Sequence, residues 1–122
     1  MREIIDELYD ITTATKIGLV GPGPSMDENN IRFHVTTLYR TRRGDFFIVG
    51  WGNCGSLWAK YLGCAYTSGG GVKPIGDHKA RRLVRNSYVW HDYEEIFGET
   101  HWQYERREAA DYERRVAADK YL

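Results

Sequence analysis

The chain has 122 residues, the length of one domain, so we expect a single domain over residues 1–122. Hydrophobic residues make up 42% and charged residues 28% of it, a composition that excludes a disordered or collagen-like chain. Seventeen basic side chains balance 17 acidic ones, so no overall positive field attracts nucleic acid or anionic lipid. Without a recognisable leader or lipidation signal, we expect a cytoplasmic protein with no membrane or nucleic-acid partner.

Aromatic residues are unusually frequent, at 14% of the chain. Each buries roughly 150–250 Å² when enclosed, and a small domain has little interior for so many. An aromatic-rich core is one explanation. We favour the other, in which some aromatic side chains lie at a surface that a partner covers, and we therefore predict a homo-oligomer.

The first elements in chain order are a helix and a strand. Residues 2–14 carry apolar side chains at helical spacing, with acidic residues between them, which predicts an amphipathic helix. These apolar residues are Ile4, Ile5, Leu8 and Ile11. Residues 16–20 favour a short strand, which the prolines at 22 and 24 would end.

A hairpin is the clearest local pattern. Residues 31–40 alternate between apolar and polar side chains, residues 41–44 favour a turn, and residues 45–51 form an apolar return strand. Because the return strand is apolar on both faces, we expect a helix or a partner subunit to cover its second face.

The second half of the chain alternates between predicted helices and a loop. Residues 57–62 favour a short helix that Gly63 would cap, and the glycine-rich residues 63–76 favour a long mobile lid. Asp77 is expected to N-cap a helix over 78–86. A last helix from about Thr100 carries apolar residues at intervals of seven, namely Trp102, Ala109 and Val116.

These elements predict an α+β fold. We expect a small antiparallel sheet centred on the 31–51 hairpin, flanked by the N-terminal helix and by C-terminal helices. We expect the oligomer to form through exposed aromatic side chains and through the helix over 100–122.

A glycine pattern follows the return strand. Gly50, Gly52 and Gly55 match G-x-G-x-x-G between a strand and a predicted helix, which is the context of a dinucleotide-binding turn. The repeated strand–helix units of that fold are missing, so we exclude it. Residues 52–56 could still form an anion-binding nest, and the simpler alternative is a turn that needs glycine for its backbone.

Basic residues cluster on the helix over 78–86. Lys79, Arg81, Arg82 and Arg85 could bind phosphate, and the aromatic rings of Tyr88 and Trp90 that follow them could stack on a base. The alternative is that these cations pair with the acids at 92–99. The full set of predicted ligand contacts is Lys79, Arg81, Arg82, Arg85, Gly52, Asn53, Gly55, Ser56, Tyr88 and Trp90.

Residues for acid–base or metal chemistry are few. His91–Asp92 lacks the further ligands that a metal pair would need, and no histidine neighbours Cys54 in sequence to activate it. We therefore expect no enzyme, no catalytic residue, no metal and no cofactor.

Two functions remain after these exclusions. The first is a non-catalytic binding protein for a small phosphorylated, nucleotide-like ligand, which works as a homo-oligomer and sequesters that ligand. The alternative is a protein–protein inhibitor or adaptor, for example a phage accessory protein with an anti-defence role that blocks a host complex.

Overall fold

The computed structural model describes residues 9–21, 27–87 and 89–119. The chain divides into two compact units, of which the first reaches His91 and the second begins at Asp92. The strands are β1 (Thr15–Leu19), β2 (His34–Arg40), β3 (Phe46–Gly52), β4 (Lys60–Tyr61), β5 (Tyr66–Thr67) and β6 (Gly69–Ile75). The helices are α1 (Asp77–Arg85), α2 (Tyr93–Phe97) and α3 (His101–Asp119).

The main sheet is antiparallel, with strand order β1-β2-β3-β6. Its centre is the predicted hairpin, in which His34 lies opposite Gly52 and Arg40 lies opposite Phe46. Strand β2, the first strand of this hairpin, begins at His34 rather than at residue 31. Residues 31–33 instead belong to a turn in which the Phe33 N–H donates to the Asn30 carbonyl at 3.0 Å. The α+β class with C-terminal helices is confirmed.

Side chains from both faces of β3 are buried, as its two-sided apolar pattern predicts. Phe47 is fully buried on one face, where Tyr39 stacks on it with ring centroids 5.2 Å apart. Ile48 is fully buried on the other face, opposite Leu38 of β2. Helix α1 contacts β3 and buries Ala80 and Val84.

The predicted N-terminal helix is wrong for residues 9–14, which form turns and bends. The Asp10 carboxylate accepts hydrogen bonds from the Thr12 N–H at 2.8 Å and from the Thr12 hydroxyl at 2.7 Å. Such side-chain bonds offer the backbone an alternative to helix. The rest of the predicted helix lies outside the described residues.

The predictions for residues 57–76 are also wrong. The expected helix over 57–62 is replaced by a turn and by the β4–β5 hairpin, and Gly63, at φ +90°, lies in the connection of that hairpin. The expected mobile lid is strand β6, which pairs with β3 from Gly69 opposite Gly52 to Ile75 opposite Phe46. The edge of β3 satisfies the backbone of this glycine-rich segment, which the composition of the segment does not reveal.

The C-terminal helices are close to the predicted ones. Gly76, not Asp77, occupies the N-cap of α1. Helix α3 begins at His101, after a capping box in which Thr100 and Gln103 exchange hydrogen bonds of 2.8 and 3.2 Å. The short helix α2 was not predicted. None of the described helices is long and apolar enough to cross a membrane.

Candidate functional site

An open cleft of about 480 Å³ lies in the first unit, beside the 52–56 turn. Its lining comes from three segments, namely the turn after residue 27, the turn after β3, and β5 with the residue that follows it. The lining residues are Glu28, Asn29, Ile31, Asn53, Cys54, Tyr66, Thr67 and Ser68. The cleft therefore joins the predicted ligand turn to the start of the segment that was predicted to be a lid.

Asn53 holds two walls of the cleft together. Its side-chain amide donates to the carbonyls of Glu28 and Asn30, both at 2.8 Å. Its backbone N–H donates to the Phe33 carbonyl at 2.9 Å. Since both amide hydrogens of the side chain are used, the side-chain oxygen Oδ1 is the polar atom of Asn53 that remains for a ligand.

The predicted anion nest would need the backbone N–H groups of residues 52–56. Those of Asn53, Gly55 and Ser56 all donate within the chain, to the carbonyls of Phe33, Ile31 and Asn53 at 2.7–3.0 Å. Three of the donors for an anion are therefore already occupied, and this turn is closed by its own hydrogen bonds.

Gly52 has a packing role in the glycine pattern. A Cβ atom there would collide with the Ser56 hydroxyl and would come within 2.8 Å of the His34 Cβ. Gly69, its partner across the β3–β6 ladder, leaves room in the same way for the Trp58 carbonyl. The two glycines let the 53–59 segment fold tightly over the end of the sheet.

A buried polar network fixes that segment to the sheet. The fully buried Trp58 donates its indole N–H to the Thr36 hydroxyl oxygen at 2.8 Å, and that hydroxyl lies 2.7 Å from His34 Nδ1. Burial lowers the pKa of His34 below 6.5, which favours the neutral ring. A neutral Nδ1 accepts from the Thr36 hydroxyl. The indole N–H of Trp58 and the hydroxyl hydrogen of Thr36 therefore both have an acceptor in this network.

Two exposed tyrosines stand beside the cleft on the β4–β5 hairpin. Tyr61 and Tyr66 lie opposite each other, with ring centroids 5.1 Å apart, and each is more than 60% exposed. Tyr66 also lines the cleft. Two adjacent, largely exposed rings are typical of a surface on which a planar group stacks.

The charges at the cleft are few. Among the described residues that line the cleft, Glu28 is the one charged residue. Lys60 of β4 lies directly opposite Thr67, a lining residue, and is exposed. Lys60 is therefore the cation that the strand register places next to the cleft.

The predicted cations of α1 have different environments. Arg81 has a side chain that is only 10% exposed, and its Nε lies 2.6 Å from the Asp77 carboxylate. It therefore stabilises α1 through an ion pair within the helix. Lys79, Arg82 and Arg85 are exposed. Because β6 leads from Gly69 at the cleft end of the sheet to Ile75 at the other end, α1 begins about 20 Å of strand away from the cleft.

Of the two remaining predicted contacts, Trp90 is not a lining residue of the cleft. Trp90 is 80% exposed, and Tyr88 lies outside the described residues. Two of the acids suggested as partners for α1 are used inside the second unit. Asp92 accepts from the Glu95 N–H at 3.2 Å, and Glu99 binds Arg107 through two contacts of 2.7 Å.

The tyrosine pair is the main feature that the sequence analysis missed. The signal for it is Tyr61 and Tyr66 placed on either side of a turn at Gly63, a hairpin pattern that the helix prediction concealed. Cys54 and Cys64 are exposed free thiols, and within the described ranges no three His, Cys, Asp or Glu residues are grouped to hold a metal ion.

The chain matches no known protein-family model, no curated protein and no solved structure.

Proposed function

We propose that this protein is a non-catalytic binding protein for a small nucleotide-like ligand. The observation that carries the proposal is the open cleft between the Asn53 turn and the exposed ring of Tyr66. The base of the ligand stacks on Tyr66, whose ring is already flanked by that of Tyr61.

Polar groups on the other walls suit the edge of a base or a sugar. The hydroxyls of Thr67 and Ser68 both donate and accept, and Asn29 and Asn53 add side-chain amide oxygens. The rigid cross-link from Asn53 to the Glu28 and Asn30 carbonyls keeps these groups in place before the ligand arrives.

The phosphate of the ligand requires a cation, and Lys60 lies next to the cleft through its register with Thr67. The exposed cations of α1, chiefly Lys79 and Arg82, are the competing phosphate site. The two sites predict different variants to lose binding.

The test is native mass spectrometry of the full chain with nucleosides and with linear and cyclic nucleotides. We expect a bound mass that stays unchanged with time, as sequestration requires, and that Tyr66→Ala removes. Leu62→Ala is the matched control, because Leu62 lies in the connection of the same hairpin, is 67% exposed against 63% for Tyr66, and is not a lining residue of the cleft.

Lys60→Ala should then lower the affinity for nucleotides but not for nucleosides. If Lys79→Ala and Arg82→Ala have that effect instead, the phosphate lies on α1. A ligand whose mass changes with time contradicts non-catalytic binding, and a chain that retains none of the panel contradicts the proposal.

A protein–protein inhibitor or adaptor is the second candidate, favoured by the exposed face of the sheet. Trp51 is 48% exposed and lies opposite Val35, which is 36% exposed, and Leu19 on β1 is 47% exposed. A host protein that wild-type chain captures, that Trp51→Ala loses and that Tyr66→Ala retains would favour this function over ligand binding.

A further inference from the structure

Helix α3 exposes a stripe of mainly apolar side chains, which the acid Glu105 interrupts. Trp102 and Tyr112 are each 64% exposed, Val116 is 40% exposed, and no residue of α3 is buried. Trp102, Ala109 and Val116 recur every seven residues, and Glu105 and Tyr112 fall between them at the alternate three- and four-residue spacings. This spacing is that of a two-stranded coiled-coil seam, with the first three residues at a positions and the other two at d positions.

Three of the charges beside this stripe lack an ion pair on their own helix. Arg106 and Glu113 have only uncharged residues three or four positions away, and the charged residues at those distances from Glu108 are acids. Within residues 93–119, no ion pair forms at any of these three side chains. By contrast, the charges on the opposite side of α3 are paired, Arg107 with Glu99 and Arg114 with Asp111.

We propose that α3 binds α3 of a second copy of this chain, in antiparallel orientation, along this stripe. In an antiparallel seam each a residue faces a d residue of the other helix, and charges at e face e while charges at g face g. With Ala109 facing Tyr112 of the other copy, the small residue accommodates the large one, which favours this register. The same register places Glu105 opposite Val116 of the other copy.

Every flanking charge then meets its opposite. At the e positions, Arg106 faces Glu113 of the other copy. At the g positions, Glu108 faces Arg115 of the other copy, and the two-fold symmetry repeats both pairs. The parallel alternative places Glu108 beside Glu113 of the other helix, a repulsive contact that is also repeated. The charge pattern therefore selects a second copy and one orientation.

This inference goes beyond the proposed ligand site, since every residue that carries it lies in α3.

The experiment is sedimentation velocity of the full chain over a range of concentrations. We expect a monomer–dimer equilibrium whose dissociation constant rises about tenfold in Arg106→Glu and in Glu113→Arg, because each change makes two symmetric contacts repulsive. The double variant R106E/E113R restores both pairs and should return the constant to the wild-type value.

Arg114→Glu is the matched control, with the same change of charge on the side of α3 away from the stripe. It should leave the dissociation constant unchanged even though an acid at position 114 lies beside Asp111, and circular dichroism measures the helicity of all four variants. A wild-type chain that stays monomeric, an Arg106→Glu constant equal to that of Arg114→Glu, or a double variant no better than either single one would overturn the proposal.

Discussion

The sheet of the first unit and helix α3 of the second satisfy their side chains in different ways. In the first unit Trp58, Phe47 and Ile48 are almost completely removed from water, and the polar atoms beside them are hydrogen-bonded. In α3 no side chain is buried, and Trp102, Tyr112 and Val116 of its stripe are exposed. The sheet is therefore held by contacts within the chain, whereas for α3 we infer stabilisation by the proposed contact with a second copy.

The largest expected effect comes from the core of the sheet. Trp58→Ala removes a fully buried ring and its hydrogen bond to Thr36. It also removes the contact of the ring with the Lys73 ammonium group, which lies 5.1 Å from the ring centroid. We expect the free energy of unfolding, measured in urea by circular dichroism, to fall by about 3–5 kcal/mol.

Trp102→Ala is the matched change on α3, where the ring is 64% exposed. We expect the unfolding of the first unit to change by less than about 0.5 kcal/mol. Equal losses in the two variants would remove the distinction between the regions.

The next effect comes from the glycine at the end of β3. Gly52→Ala places a Cβ against the Ser56 hydroxyl and the His34 Cβ, so we expect a loss of about 1–3 kcal/mol in the same urea experiment. Gly21→Ala is the control, since a Cβ there meets only the His34 carbonyl, at 3.7 Å. If Gly52→Ala is as stable as Gly21→Ala, the tight packing of the 53–59 segment is not what requires glycine.

The next smaller effect is a difference in stability between two variants of α1, Arg81→Ala and Arg82→Ala. Arg81→Ala leaves the Asp77 carboxylate without its partner and removes a side chain that is 10% exposed, so we expect a loss of about 1–2 kcal/mol. Arg82→Ala, at an exposed position, should change stability by less than about 0.5 kcal/mol. The thermal midpoints of the two variants give the comparison, and reversed ranks would contradict the structural role of Arg81.

The smallest expected effect is a pH dependence from His34. Because burial lowers its pKa in the folded chain below 6.5, the unfolded chain binds more protons as the pH falls through that value. Stability should therefore be complete above pH 6.5 and decrease below it, down to the folded pKa. His34→Gln should flatten this part of the curve. A wild-type curve with no slope there would show that His34 titrates alike in both states.

Local patterns predict the parts of the fold whose structure is set by local contacts. The hairpin alternates with period two, the helices over 77–85 and 101–119 carry their own periodicity, and the second of these helices has its own capping box. The strand at Gly69–Ile75 was missed because three consecutive glycines favour a loop, and only pairing with β3 makes them a strand. That pairing joins residues far apart in sequence, which periodicity does not encode.

The candidate site was predictable in part for the same reason. The turn at Asn53 follows a strand and carries a glycine pattern, so sequence alone indicates a tight structure there. That Asn53 binds the Glu28 and Asn30 carbonyls, and that Tyr66 lies across a cleft from it, depends on the path of three separate segments. The environment of Arg81 likewise depends on which face of α1 packs on the sheet.

The central claim, that α3 is completed by an antiparallel second copy, is tested most directly by mixing two variants. Arg106→Glu and Glu113→Arg each repel themselves, but in an antiparallel pair the acids of one face the arginines of the other. Native mass spectrometry of the two full chains should find mainly monomer in each alone and a heterodimer in the mixture. Monomers that persist in the mixture, while wild-type chain dimerises under the same conditions, would contradict this arrangement.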